Sequence, residues 1–259
     1  MNLLTEPPRG AARVTGGLLG VAGGEAWRGA PGGFESGGPV TAALLDLCHS
    51  YTADEDELDA DSPLDVARRH QGVPATGWLL PVAIARTGSD LTDDTLLLAS
   101  AAGATPDVLG ACLTYVMLAS ELLAAQPVHR AIELASCKPV GLAVEESTRP
   151  ATGNQPTRPR LCGIGPIDAV NAGIWALTQT GYRLASLAAS LAHWCEPWVA
   201  AAAAGLLGLR DGCAAVPAQW YRLVDAAPEC MDLAPELLRS VPFVESNRHL
   251  TIVTSSLAS

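Results

Sequence analysis

The sequence contains few aromatic residues and few charges. Aromatic residues make up 5% of the 259 positions and charged residues 17%, whereas hydrophobic residues make up 49%. A core of this composition must be built mainly from Ala, Leu and Val, and the long alternating β-branched runs typical of strands are absent. Because small side chains favour closely packed helices, the sequence predicts an all-α protein. Its length is sufficient to bury a sizeable core.

Positive charge is also scarce, with 16 basic against 27 acidic residues and a net charge of −11. Binding to nucleic acid requires a basic patch that displaces counterions from phosphates, so this class of function is excluded. The acid is concentrated in residues 54–65, which hold seven carboxylates. This run has neither the spacing nor the glycine of an EF-hand calcium loop. We interpret it as a solvated loop and not as a metal site.

The seven cysteines form no CxxC pair and no zinc-binding spacing. Their odd number, together with the lack of a secretory signal pattern, predicts reduced thiols in a cytoplasmic protein. Residues 184–209 are apolar enough to suggest a membrane span, but His193, Glu196 and Pro197 interrupt the centre of this stretch. A charge at that depth is costly. We therefore expect either one buried helix or a pair of helices broken at the proline, and no contact with a membrane.

Glycines recur at helical spacing near the N-terminus. Gly17, Gly20 and Gly24 would lie on one face of a helix. Glycine costs about 1 kcal/mol at each interior helical position, so such a face implies the close approach of another backbone or of a ligand. The GxxxxGK[ST] pattern of a phosphate-binding loop is absent, which argues against a nucleotide site of that kind.

The rest of the chain is predicted to be helical, with proline-rich breaks. The pattern favours helices over 40–52, 90–103 and 106–125, and a helical block over 164–208. Asp90 or Thr92 is expected to cap the second of these helices. The proline-rich stretch 138–161 is too long for a routine connection, so we expect a functional or a disordered loop.

Three separated segments carry a family resemblance. Residues 15–26 read TGGLLGVAGGEA, residues 76–83 read TGWLLPVA, and residues 172–177 read AGIWAL. They resemble, in order, the GALLGLAVGDA, NGALMRVAP and AALWAL patterns of the ADP-ribosylglycohydrolases, the family that includes the dinitrogenase-reductase-activating glycohydrolases. After a suitable gap, a further segment is similar to that family's AAIAGALAGALYGLDAIPERW ending. Its matching positions are Gly205, Gly208, Val216, Pro217 and Trp220.

The resemblance implies a fold and a chemistry. The fold is a single-domain, orthogonal, all-α helical bundle over residues 11–224, with 1–10 as a tail and 225–259 as an extension. The family cleft holds two Mg²⁺ ions, which position a water and the ribose hydroxyls for cleavage of a glycosidic bond. Magnesium requires oxygen ligands. The family draws them from a [ST]-D-D-T turn before the second helix and a D-x-D-T turn before the AAIAGALAG helix.

Both aspartate turns are degenerate in this sequence. The first falls on residues 35–38, where Ser36 and Gly37 replace the aspartates. The second falls on residues 196–199, where the aspartates become Glu196 and Trp198. In addition, Glu25 replaces the aspartate of the opening pattern, and Thr76 replaces the asparagine of the second.

These departures predict a pseudoenzyme without the two Mg²⁺ ions, which binds ADP-ribose, an NAD-like ligand or an ADP-ribosylated protein. The remaining acids Glu25, Glu35 and Glu196 are weak candidates for a single metal, and Glu35 and Glu196 are also weak catalytic candidates. Glu25, Ser36 and Trp198 are candidates for lining a pocket.

Two alternatives stay open. One is an active hydrolase with rearranged ligands, either these three glutamates or Asp93 and Asp94. Residues 92–95 spell TDDT, but we interpret them as the acidic start of a helix. The other is a scaffold whose cleft is filled by Trp194 or Trp198. We interpret His193 and Cys195 as packing residues.

Overall fold

The computed structural model describes residues 9–27, 37–53, 61–136, 161, 163, 165–179 and 183–240. Within these ranges the chain forms helices and turns without a β-strand. The predicted all-α fold is therefore confirmed. Residues 1–8 of the predicted 1–10 tail, residues 54–60 of the acidic run and nearly all of the 138–161 loop lie outside these ranges, as do Glu35 and Ser36. Residues 9 and 10, predicted to belong to the tail, lie instead in the first helix, which begins at Arg9.

The helices follow one another in chain order with short connections. They are α1 (Arg9–Ala26), α2 (Pro39–Thr52), α3 (Pro63–Arg69), α4 (Ala75–Trp78), α5 (Leu80–Ala85), α6 (Gly88–Ala101), α7 (Pro106–Leu123), α8 (Val128–Ser136), α9 (Gly165–Thr178), α10 (Leu184–Trp194), α11 (Pro197–Asp211), a 3₁₀ turn (Cys213–Ala215), α12 (Trp220–Leu223) and α13 (Ala227–Ser240).

Helices α1 and α11 form the centre of the core, and their backbones are in direct contact. A Cβ atom built on Gly20 would lie 2.3 Å from the carbonyl oxygen of Ala204, and one on Gly16 would lie 2.4 Å from that of Gly208. One turn further along, a Cβ on Gly24 would lie 2.8 Å from the carbonyl oxygen of Ala200. The glycines of α1 thus permit an approach that no larger residue allows.

The predicted glycine face is confirmed as a site of close backbone approach, with one change of membership. Gly16 belongs to it, whereas the predicted Gly17 is directed toward the side chains of Leu209 and Leu80. The physical reason is geometric. Residues spaced by four form a ridge that is inclined to the helix axis, and Gly16, Gly20 and Gly24 follow this ridge along α11.

Arginines satisfy carbonyl groups at the ends of three core helices. The Arg13 guanidinium donates to the carbonyl oxygens of Leu122 in α7 and Leu209 in α11. Arg210 donates to the carbonyl oxygen of Leu177 in α9 at 3.2 Å. The last carbonyls of a helix have no partner within the helix, and a cation also complements the negative end of the helix dipole. These two arginines therefore stabilise the buried ends of α7, α9 and α11.

Of the two arrangements expected for the apolar 184–209 stretch, the structure shows the pair of helices broken at the proline. Helix α10 ends at Trp194 and α11 begins at Pro197. Among the described helices, α7 alone is long and apolar enough to cross a membrane by length and composition, and more than half of it is buried inside the protein. Because it packs against α5, α6, α8 and α11, it has the surroundings of a core helix.

Two features of the sequence analysis require correction. Helix α6 begins at Gly88, with Thr87 as the N-cap residue, so neither Asp90 nor Thr92 caps it. The TDDT run consequently lies in the second turn and not at the helix start. The backbone of Gly88 has φ = 63°, a left-handed conformation that glycine adopts easily, and this allows the earlier start.

The residues after 224 add a helix to the core. Helix α13 packs against α1 and α2, and it buries Cys230, Leu233 and Leu237. This part of the 225–259 segment is therefore integrated with the bundle, because its apolar face is covered by the same helices that surround α1.

Candidate functional site

Glu25, at the end of α1, binds the first turn of α2 with both carboxylate oxygens. Its Oε1 accepts a hydrogen bond from the backbone N–H of Val40 at 3.0 Å. Its Oε2 accepts two more from Thr41, one from the backbone N–H at 2.7 Å and one from the hydroxyl at 2.6 Å. The Glu25 side chain is buried, with 3% of its surface exposed.

The local sequence explains why this cap comes from another helix. Gly38 at the N-cap position has no side chain that could accept a hydrogen bond, and Pro39 at the first position has no N–H. The N–H groups of Val40 and Thr41 are thus left for Glu25. A Cβ on Gly38 would lie 2.4 Å from the Glu25 Oε1, so glycine leaves room for the carboxylate.

The chemistry of Glu25 does not suit the two Mg²⁺ ions of the family resemblance. Magnesium would have to compete for oxygens that already accept three hydrogen bonds at a helix N-terminus, whose partial positive charge stabilises the carboxylate and repels a cation. Among the described residues, no three His, Cys, Asp or Glu side chains form a group that could hold a metal ion. Glu25 and its neighbours among the described residues, which do not include Glu35 and Ser36, therefore do not fit a dinuclear magnesium centre.

Glu196 and Trp198 lie at the start of α11 and differ in their surroundings. Glu196 is the N-cap residue of α11, and its exposed side chain makes no capping hydrogen bond. Trp198 is half-buried, and its ring covers Gly165 at the start of α9, where a Cβ would lie 2.6 Å from the Trp198 Cη2. Glycine at position 165 thus makes room for an indole ring beside the α11 N-terminus.

The elements named by the resemblance nevertheless converge at one end of the bundle. Gly24 contacts the backbone of Ala200 in α11. Gly77 in α4 lies between α2 and α11, where a Cβ would be 2.9 Å from Val40 Cγ1 and 3.7 Å from the backbone nitrogen of Ala202. The end of α1, the start of α2, α4 and the first half of α11 therefore surround one region.

Thr76 marks a polar atom in this region. Its side chain is fully buried, and its hydroxyl has no hydrogen-bond partner among the described residues. An unsatisfied buried hydroxyl costs about 1–3 kcal/mol. A ligand or a buried water that paired with this group would recover that cost.

Sequence analysis missed a polar row on α9. Asp168, Asn171 and Trp175 follow one another at i, i+3 and i+7, so they share a face of this otherwise apolar helix. Asp168 and Asn171 are buried, and Asp168 accepts a hydrogen bond from the backbone N–H of Gly163 at 2.9 Å. Two polar residues at helical spacing in an otherwise apolar helix were the signal that the sequence offered.

The turn between α10 and α11 packs beside this row. Trp194 makes an edge-to-face contact with Trp175, with ring centroids 5.9 Å apart and an interplanar angle of 69°. Burial, together with the smaller effects of the nearby charges of Asp168 and Glu196, raises the pKa of the Cys195 thiol from 9.0 to about 11. A thiol that stays protonated at neutral pH is a poor nucleophile. His193 is exposed.

The TDDT run is occupied by structural interactions. Asp94 forms an ion pair with Arg86 at 2.6 Å and accepts a hydrogen bond from the Tyr51 hydroxyl at 3.4 Å. The Arg86 guanidinium also lies 4.9 Å from the centre of the Tyr51 ring. Thr95 is buried, and its hydroxyl donates to the Leu91 carbonyl oxygen in the same helix. Asp94 therefore connects α6 both to Tyr51 in α2 and to Arg86 in the loop between α5 and α6.

Comparison with known proteins supports the fold through structure and not through sequence. No family model matches the chain, and no curated protein matches its sequence significantly. Among solved structures, one described as an "ADP-ribosylglycohydrolase-related protein complex" is similar to this chain with a TM-score of 0.71 and 20% sequence identity. The match covers 90% of this chain and 99% of that one. The chain thus has the fold of the ADP-ribosylglycohydrolase type that the three sequence segments predicted.

Proposed function

We propose that this protein is a non-hydrolytic relative of the ADP-ribosylglycohydrolases, which binds ADP-ribose, an NAD-like ligand or an ADP-ribosylated partner without cleaving it. The observation that carries the proposal is the position of Glu25. Its buried carboxylate stands where the family pattern has an aspartate. Both of its oxygens accept hydrogen bonds from the first turn of α2 and so cap this helix. The family fold is retained, and this acid of the opening pattern serves as a helix cap.

The energetics favour the capping role over a return to metal binding. Each hydrogen bond to an ionised group contributes about 1.5–3 kcal/mol, and removing the carboxylate would leave the buried N–H groups of Val40 and Thr41 without a partner. A metal ion at Glu25 would have to offset this loss, and among the described residues no three His, Cys, Asp or Glu side chains form a group that would help to hold it. Glu196, the other described acid of the degenerate turns, is exposed.

The hydrolase alternative has less support. Asp94 is engaged with Arg86 and Tyr51, and Thr95 is buried within α6. Using Asp93 and Asp94 as metal ligands would break the ion pair that joins α6 to the preceding loop. We therefore favour the non-hydrolytic function.

A hydrolysis assay tests the proposal. The full-length chain is incubated with an ADP-ribosylated arginine substrate and MgCl₂ or MnCl₂, beside an active ADP-ribosylglycohydrolase as the positive control. We expect no release of ADP-ribose above the background rate. Calorimetric titration with ADP-ribose, without metal, then separates ligand binding from a purely protein-binding role. Metal-dependent release of ADP-ribose would overturn the proposal.

A second candidate function is protein binding with a filled cleft. The packing of Trp198 over Gly165 and of Trp194 against Trp175 favours it, because these rings occupy space beside the start of α11. The similar solved structure is described as a complex. In this case ADP-ribose would give no heat of binding, and a partner would bind the outer surface of the bundle.

A further inference from the structure

Two buried thiols lie where helix α13 packs against α2. Cys48 of α2 and Cys230 of α13 are both free cysteines with 0% of their surface exposed. Their neighbours in the chain join the same two helices, because His49 Nε2 lies 2.7 Å from Glu229 Oε1. This hydrogen bond fixes the register of the two helices. Each thiol is therefore one position away from a direct contact between α2 and α13, on the buried side of its helix.

The two thiols also affect one another electrostatically. Burial raises the pKa of Cys48 well above its ordinary value, and the thiol of Cys230 is the next cause, ahead of the carboxylate of Glu229. Burial likewise raises the pKa of Cys230 to about 12. An electrostatic interaction weakens with distance, so this effect agrees with the register in making the two thiols neighbours. Neighbouring thiols are the reactants of a disulfide bond.

Helix α13 has a feature that weakens it locally. Pro235 lies inside the helix and has no backbone N–H, so one hydrogen bond of the helix is missing. The outer face of the helix is exposed, and it includes Met231 with 46% of its surface in solvent. Local opening costs least where helical hydrogen bonds are few and exposed. Opening of α13 would bring Cys230 into contact with reagents in solution, and closing would return it to Cys48.

We infer that Cys48 and Cys230 form a redox-sensitive pair, which a low-molecular-weight disulfide converts into an intrachain disulfide bond that fixes α13 on α2. The Cys230 thiol loses its proton, and its thiolate attacks one sulfur of the reagent, which releases one thiolate and leaves a mixed disulfide. Cys48, deprotonated in turn, attacks the Cys230 sulfur and releases the second thiolate. Both cysteines are thereby oxidised, and the reagent is reduced to two thiols that take up the two protons. The inference goes beyond the proposed function and does not depend on it.

Oxidation of the full-length protein tests the inference. The reduced protein is incubated with oxidised glutathione, its remaining thiols are alkylated in denaturant, and its peptides are mapped by mass spectrometry without reduction. We expect a peptide pair that joins Cys48 to Cys230. We also expect the melting temperature of the oxidised protein to be higher by roughly 5–15 °C, because the bond closes a long loop of the unfolded chain.

Cys112 of α7 is the internal control. It has 0% of its surface exposed, and burial raises its pKa to about 12, as it does for Cys230. Burial and thiol pKa are thus matched, whereas the register described above applies to Cys48 and Cys230 alone. Cys112 should be recovered as an alkylated thiol from the oxidised protein.

Matched variants separate the crosslink from other effects of oxidation. Cys48→Ala and Cys230→Ala should each lose the rise in melting temperature that oxidation causes, whereas Cys112→Ala should keep it. Circular dichroism checks that each variant is folded. The peptide map of the wild type needs no substitution, so it decides even where a variant fails to fold.

Three results would overturn the inference. In the first, Cys48 and Cys230 are both recovered as alkylated thiols after oxidation. In the second, they carry glutathione but are not joined to one another. In the third, they are joined to other cysteines as often as to one another, which is the pattern expected of random pairing in an unfolded chain.

Discussion

At the scale of single residues, the structure shows how one buried carboxylate joins two helices. Glu25 replaces an aspartate of the family pattern and is one methylene longer. From the end of α1 it contacts the first turn of α2, where Gly38 and Pro39 supply neither a capping side chain nor a competing N–H. The cap, the glycine and the proline therefore form one structural unit that needs no metal.

Substitution of Glu25 should destabilise the protein. Glu25→Ala leaves two buried backbone N–H groups and the Thr41 hydroxyl without their acceptor, and we expect the free energy of unfolding to fall by about 3–5 kcal/mol. Glu25→Gln keeps one acceptor oxygen and should cost less. Urea denaturation measures the change, with Glu236→Gln as an exposed control. Equal stability of wild type and Glu25→Ala would contradict the capping role.

Cys195 should react slowly with alkylating reagents at neutral pH. Burial and the charges of Asp168 and Glu196 raise its pKa to about 11, so the thiolate is scarce below that pH. The unfolded chain loses this proton near pH 9.0, so the contribution to stability is present below pH 9.0 and declines as the pH rises toward 11. Iodoacetamide labelling over a range of pH, followed by mass spectrometry, gives the midpoint of the pH dependence of Cys195 labelling. Asp168→Asn should lower it, and a wild-type midpoint near 9 would contradict this account.

At the scale of elements, the α1–α11 pair determines the architecture. Gly16, Gly20 and Gly24 allow the two backbones to touch along two turns, and the alanines of α11 supply the complementary surface.

A methyl group at Gly20 should disrupt this contact. Its Cβ would meet the backbone of Ala204 at 2.3 Å, and the backbone has little freedom to move, so we expect Gly20→Ala to destabilise the protein by about 3 kcal/mol or more. Gly10→Ala is the matched control in the same helix, because the nearest atom to its Cβ lies 4.0 Å away. This control should be neutral or stabilising by up to about 1 kcal/mol. Thermal denaturation of both variants checks the contrast.

The same elements show which features the sequence could predict. The glycine spacing and the proline at 197 determined a close helix pair and a helix break, since both depend on local backbone chemistry. The Glu25 cap could not be predicted, because it joins residues fifteen positions apart across a segment whose path depends on the tertiary fold. Likewise, Asp168 and Asn171 gave a helical pattern, but only the packing of the 194–198 turn placed Asp168 beside Cys195.

At the scale of the whole molecule, one core includes the described helices on both sides of the long proline-rich stretch. Helix α13 packs on α1 and α2, so the segment after residue 224 contributes to the same cooperative unit. We expect truncation after residue 224 to expose the apolar faces of α1 and α2 and to abolish a single sharp unfolding transition. Differential scanning calorimetry compares the two chains. A truncated chain that melts like the full one would contradict this integration.

The central claim is that the fold of a metal-dependent glycohydrolase persists here without its dinuclear metal chemistry. Isothermal titration of MgCl₂ into the full-length protein, in the presence of ADP-ribose, tests this claim most directly. The account predicts no saturable two-site magnesium binding, and no gain of such binding on substitution of Glu25 by Asp. Two saturable magnesium sites that are lost in Glu25→Gln would show that this carboxylate still holds metal and would contradict the account.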